Sequence, residues 1–188
     1  AGVGLEEPVY LSELLRHAMT PTGKRLRPAL TLLASNFHPN DGAKAEMLAS
    51  AVELLHVASL VHDDTVDNSE VRRGRATVSS LWGKNAAVLA GDYLFAKSAT
   101  FMCDTGNIRV IRRFAETAME LSSGELHELA SAYNPDQTRD EYLRRIHNKT
   151  ASLFATAGES GGILSGASEP TVQALREYSY NVGMAFQI

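Results

Sequence analysis

A single cysteine, Cys103, leaves the 188-residue sequence unable to form an internal disulfide, which suits a reducing, cytoplasmic compartment. Positive charge is not in excess: 18 Lys and Arg against 22 Asp and Glu leave a formal net charge of −4. No global basic field is therefore available to draw nucleic acid or an anionic lipid surface. The longest apolar runs are only a few residues, so no membrane span is expected. Strand-like alternation does not persist anywhere, and neither an internal repeat nor a low-complexity tract is present. What remains is 44% hydrophobic residues, enough for one domain over residues 1–188.

The apolar spacing is helical almost throughout. It predicts a short helix from Pro8 to Ala18, a Thr-Pro-Thr-Gly turn at Thr20 to Gly23, and a second helix from Arg27 to Asn36. A long helix follows from Ala43 to about Asp67, with Met47, Leu48, Ala51, Val52, Leu55, Ala58 and Leu60 as core candidates. Asn68 to Gly83 reads as a loop, with Trp82 as a packing anchor. Further helices are expected over Ala86–Cys103, Ile108–Ala132, Arg139 to about Leu164, and Thr171 to the end. Thr138 and Glu141 form a T-x-x-E capping box before the third of these. The fold class expected is all-α. The last apolar stripe is still running at Ile188, so the chain is expected to continue or lose order there.

The chemically informative stretch is His62-Asp63-Asp64-Thr65-Val66-Asp67. On a helix, Asp63 and Asp67 share a face, where like charges repel unless a cation lies between them. Hard carboxylate oxygens suit Mg²⁺, which takes one or two carboxylates and completes its shell with waters and substrate phosphates. An acidic, solvated helix end is the plain alternative. Five residues later comes Arg72-Arg73-Gly74-Arg75, and upstream stands Gly23-Lys24-Arg25-Leu26-Arg27-Pro28. Two cationic clusters flanking an acidic site suggest two phosphorylated groups, one reached through Mg²⁺ and one directly. Alternatively, the arginines partner the aspartates.

Other residues carry plainer expectations. Cys103 reads as a small packed hydrophobe, and His127 and His147 as lone core or surface histidines. Glu125 and Glu128 share a helix near Gly124, with Glu128 expected to face solvent, and Gly161-Gly162 should ease close helix packing. His62 beside Asp63 offers a metal phosphohydrolase as an alternative, but that site needs ligands from separate helices, and His56 and His62 face different sides of one helix.

The stretches GKRLRP (Gly23 to Pro28), ELLHVASLVHDDTVDNSEVRRGRATV (Glu53 to Val78), GDYLFA (Gly91 to Ala96), KTASLF (Lys149 to Phe154) and GMAFQI (Gly183 to Ile188) resemble, in this order, the trans-isoprenyl diphosphate (polyprenyl) synthases. The resemblance implies an isoprenoid synthase-type helical bundle and a homodimer. It implies head-to-tail condensation of isopentenyl diphosphate with an allylic diphosphate, with Mg²⁺ as cofactor. Lys24, Arg27, His56 and Arg73 would hold isopentenyl diphosphate. Arg72, Lys149, Thr150 and Gln187 would contact the allylic diphosphate. Asp63 and Asp67 would bind the metal, with Asp64 lending charge. Asp63, Asp67, Arg72 and Lys149 would carry the chemistry. The second aspartate-rich segment of that family, expected after the FQ-containing helix, lies beyond Ile188.

Ser59 and Ala58 precede Asp63 by four and five residues, one helical turn deeper. In the resembled family bulky aromatics there shorten the product, so these small residues imply a medium-to-long polyprenyl chain of the kind used in quinone side chains. Phe95, Phe101, Met119 and Tyr133 are candidate floor residues. The alternatives are a farnesyl- or geranylgeranyl-length synthase and a non-catalytic subunit of a heteromeric synthase. Such subunits usually lose the aspartates and arginines that are present here. A terpene cyclase would not need the Gly23–Arg27 cluster.

Overall fold

The computed structural model describes residues 9–20, 23–39 and 41–188. The helices are α1 (Val9–Met19), α2 (Leu26–Ser35), α3 (Gly42–Val66), α4 (Val78–Trp82), α5 (Lys84–Asp104), α6 (Ile108–Ser131), α7 (Arg139–Ile146), α8 (Ser152–Leu164) and α9 (Glu169–Gln187). The all-α expectation holds, with helix boundaries close to those read from periodicity. Pro8, and Pro21 and Thr22 of the Thr20 to Gly23 turn, lie outside the described residues.

Two corrections arise from local backbone geometry. The expected loop after α3 contains a minimal antiparallel hairpin, β1 (Val71–Arg72) with β2 (Arg75–Ala76), followed by α4. Two-residue strands are too short to show an alternating pattern. The expected helix from Arg139 to Leu164 is interrupted by a π-turn, His147–Ala151, between α7 and α8. Such turns recur at functional sites, and this one carries Lys149 and Thr150.

The helix starts have identifiable causes. Asn107 caps α6 by accepting from the Arg109 and Val110 amides, and Gly106 turns the chain just before it with φ of 68°. The Thr138–Glu141 capping box is present at α7 as expected.

The chain divides into two compact units: Ala1–Lys24 with Val57–Ala96, and Arg25–His56 with Lys97–Ile188. In the second unit Leu48, Ala51, Val52, Leu55, Met102, Val110, Phe114, Leu153 and Ala157 form a buried apolar cluster. Of the core residues expected on α3, Met47 and Leu60 are only partly buried, while Ala45, Ala49, Leu54 and Val61 are buried as well. By length and composition α3 alone, among the described residues, could cross a membrane, yet half of its apolar stretch is buried inside the protein, as in a core helix. Gly161 brings α8 into near-backbone contact with α2: a Cβ there would lie 2.7 Å from the Thr31 carbonyl oxygen. Close packing at this glycine matches the sequence expectation.

Cys103 does not pack; it is exposed near the end of α5, and its neighbour Met102 enters the core instead. Phe95, Met119 and Tyr133, offered as floor residues, are exposed, Tyr133 completely.

Candidate functional site

The end of α3 shapes the acidic face. The Asp67 amide donates to the Asp63 carbonyl at 2.8 Å, continuing the helical pattern one residue past Val66, so Asp63 and Asp67 stand one turn apart on one face. Asn68 then adopts φ of 54° and ends the helix. A helix C-terminus carries partial negative charge, which adds to the repulsion between the two carboxylates. Both effects favour a cation.

Asp64 points elsewhere. It is buried and accepts a 2.6 Å hydrogen bond from Arg72 Nε on β1. For Arg72, the plainer reading of an arginine partnering an aspartate therefore holds. The hairpin turns through Arg73 (φ 51°) and Gly74 (φ 78°), two successive left-handed residues that match the twist of a two-residue turn. A left-handed non-glycine residue is uncommon and marks Arg73 as a special position. Its guanidinium lies against Gly23: a Cβ on Gly23 would fall 2.7 Å from Arg73 Nη1. The glycine that opens the GKRLRP stretch thus makes room for a cation of the RRGR stretch. Lys24 beside it is exposed.

His62 donates from Nε2 to the Val88 carbonyl at 3.1 Å, lies 3.4 Å from Asp92, and fills the space left by Gly91. This accounts for the glycine of GDYLFA. It occupies His62 against α5, which argues against the phosphohydrolase reading. Ala58 is buried and Ser59 partly so.

In the second unit Arg27 donates to His56 Nε2 at 3.2 Å, and its guanidinium carbon lies 4.4 Å from the centre of the buried Phe154 ring. Ring and imidazole together fix the guanidinium. The π-turn lies close to α6 because Gly124 has no side chain; a Cβ there would meet Asn148 Cβ at 2.8 Å. Lys149 Nζ consequently reaches Glu128 at 2.8 Å and Glu125 at 3.1 Å. Glu128, expected to face solvent, keeps its side chain 40% exposed and also holds this lysine. Burial alone would lower the Lys149 pKa, but the hydrogen bonds to Glu128 and Glu125 outweigh it and hold the ammonium above its ordinary value. One ammonium against two carboxylates leaves this cluster at net −1. Thr150 donates to Gln187 at 2.8 Å, joining the π-turn to the end of α9.

Among the expected site residues, Arg27 thus meets His56, Arg72 meets Asp64, Thr150 meets Gln187, and Lys149 is held by Glu125 and Glu128. Among the described residues no group of three His, Cys, Asp or Glu side chains is gathered as a metal cage. Asp63 and Asp67 still fit Mg²⁺, which needs no such cage when phosphate oxygens complete its shell. Sequence reasoning missed the parts played by Glu125 and Glu128, the partners of Lys149.

The Polyprenyl synthetase family pattern matches residues 8–188. The chain belongs to the polyprenyl synthetase family. It is 42% identical to the heptaprenyl diphosphate synthase component 2 of Geobacillus stearothermophilus, over 95% of this chain and 56% of that protein. The crystal structure of a decaprenyl diphosphate synthase from Rhodobacter capsulatus superposes with a TM-score of 0.91 at 45% identity, covering 97% of this chain and 56% of that one. A polyprenyl synthase from Caulobacter crescentus, solved in complex with calcium and isoprenyl diphosphate, gives a TM-score of 0.92 at 36% identity, over 96% of this chain and 55% of that one. This polyprenyl synthetase chain therefore has the all-α fold of those enzymes and spans about half the length of these relatives.

Proposed function

We propose that the protein is a Mg²⁺-dependent polyprenyl diphosphate synthase that joins isopentenyl diphosphate head-to-tail to an allylic diphosphate, giving a medium-to-long all-trans product. It does so as one catalytic domain, as a cytoplasmic homodimer. The observation that carries the reading is the pair Asp63 and Asp67 on one face at the end of α3, next in the chain to the Arg72–Arg73 hairpin.

In this reading Asp63 and Asp67 hold the metal against the allylic diphosphate, and Asp64 keeps Arg72 in place. Bound Mg²⁺ supplies charge neutralisation to the departing diphosphate. Arg72, Lys149, Thr150 and Gln187 bind and orient the same group, so developing negative charge meets fixed donors. Lys149 gives its charge to the diphosphate only by loosening its hold on Glu125 and Glu128. Lys24, Arg27, His56 and Arg73 hold isopentenyl diphosphate with its double bond facing the allylic carbon. The allylic carbon–oxygen bond breaks as the diphosphate departs, the double bond of isopentenyl diphosphate forms the new carbon–carbon bond, and the departed diphosphate takes the proton whose loss restores the alkene. Ala58 and Ser59 leave room for the growing tail.

A relative named as component 2 of a heptaprenyl diphosphate synthase favours a second reading, in which the protein works as one subunit of a heteromeric synthase. Incubating the full-length protein alone with Mg²⁺, labelled isopentenyl diphosphate and a short allylic primer separates the two. Incorporation by the protein alone supports the self-sufficient enzyme. Incorporation only after adding a second subunit favours the heteromer.

A further inference from the structure

A hairpin with two residues in each strand has little stability of its own, so the guanidinium groups of Arg72 and Arg73 are fixed only if something else holds both strands. The first strand is held by Asp64 through Arg72 Nε. Its base is closed by Thr77, whose amide donates to the Glu70 carbonyl at 3.0 Å and whose hydroxyl donates to the Ser69 carbonyl at 2.7 Å. The second strand has a different anchor.

His17, on the last turns of α1, lies 2.8 Å through Nε2 from the carbonyl of Ala76 and 3.2 Å through Nδ1 from Arg75 Nη2. The carbonyl can only accept and the guanidinium can only donate, so Nε2 carries the proton and Nδ1 accepts. Both ring nitrogens are used on the same strand. The ring also meets Trp82 of α4 edge-on, with centroids 5.2 Å apart. His17, Arg75, Ala76 and Trp82 are all half-buried, so these contacts are shielded from solvent but not deeply desolvated.

We infer that His17 is a positioning residue for the Arg72–Arg75 hairpin, holding its second strand so that Arg73 at the tip is presented in one orientation to a diphosphate. The inference rests on the reading of Arg72 and Arg73 as diphosphate ligands given above. Without His17 the strand loses two hydrogen bonds, and the left-handed Arg73 loses the support that keeps it in an unfavourable conformation. Arg75 acts with His17, not on the ligand.

The test is calorimetric titration of inorganic pyrophosphate, without metal, into the full-length wild type and the variants His17→Phe, His17→Gln and Arg75→Ala. Phenylalanine keeps the ring against Trp82 but neither hydrogen bond. Glutamine can still donate to the Ala76 carbonyl and offer an oxygen to Arg75. The loss of contacts that include a charged donor should weaken pyrophosphate binding about tenfold in His17→Phe. Arg75→Ala, which cuts the contact from the other side, should weaken it similarly and replaces His17→Phe should that variant not fold. His17→Gln should recover binding to within about twofold of wild type. Wild-type binding by His17→Phe and Arg75→Ala, or failure of His17→Gln to recover, overturns the role of His17 while leaving the diphosphate ligands in place. Absence of binding by the wild type itself overturns the diphosphate reading and the positioning role with it.

Discussion

Asp64 accepts a 2.6 Å hydrogen bond from Arg72, which ties the hairpin to the helix that carries Asp63 and Asp67. Asp64 is only 7% exposed, so removing it strands a partly buried guanidinium. Asp64→Ala should cost about 1–3 kcal/mol, seen as a fall in melting temperature of order 5 °C. Thermal unfolding followed by circular dichroism checks this; an unchanged melting temperature would show that the pair does not hold the hairpin.

Asp67 behaves in the opposite sense. It is exposed and stands one turn from Asp63 at the negative end of α3. Asp67→Asn should leave the metal-free protein unchanged or more stable by about 0.2–0.5 kcal/mol, because like charges one turn apart repel. Added Mg²⁺ should raise the melting temperature of wild type and not of this variant. Equal stabilisation of both would place the metal elsewhere.

Gly161 meets the Thr31 carbonyl, a backbone atom that cannot move aside cheaply. Gly161→Ala should destabilise by about 1–3 kcal/mol in denaturant unfolding, since the added methyl forces α8 away from α2. Gly42 opens α3 with nothing within 4 Å of its missing side chain, so Gly42→Ala should stay within about 0.5 kcal/mol of wild type. Similar losses at both positions would contradict the close approach.

Burial holds the His147 imidazole below its ordinary value; nearby Glu120 works against the shift, and Arg113 and Arg176 reinforce it. The folded protein therefore binds fewer protons at this site than the unfolded chain, and stability rises with pH across that interval. The contribution is complete above the ordinary imidazole value near 6.5 and is lost as pH falls below it. Between pH 7 and 5 the melting temperature of wild type should fall, and that of His147→Gln should fall less. Parallel slopes would remove His147 from the account.

The fold was legible because amphipathic periodicity and caps such as Thr138–Glu141 survive in a single sequence. The π-turn was not: HNKTA holds no Gly or Pro to interrupt a helical reading, and its close approach to Gly124 on α6 is a tertiary contact. The pairing of Glu128 with Lys149 is hidden for the same reason, because Lys149 stands on the π-turn. The hairpin could have been suspected from Arg73-Gly74, a two-residue turn with glycine second. Its anchor could not, since His17 and Arg75 are 58 positions apart in the sequence. The aspartates and arginines themselves were readable, because paired carboxylates and clustered cations are chemical signals that do not depend on packing.

The most direct measurement sizes the products of the full-length protein. Wild type and Ala58→Tyr are incubated with Mg²⁺, labelled isopentenyl diphosphate and a short allylic primer, and the dephosphorylated products are separated by chromatography. Ala58 is buried one turn below the aspartates, so a tyrosine there should block the tail. The account expects a ladder ending at a medium-to-long prenyl chain for wild type and a shorter end point for Ala58→Tyr. No incorporation by the folded wild type, alone or with a second subunit, would contradict the synthase reading, and an unchanged end point in Ala58→Tyr would contradict the path assigned to the tail.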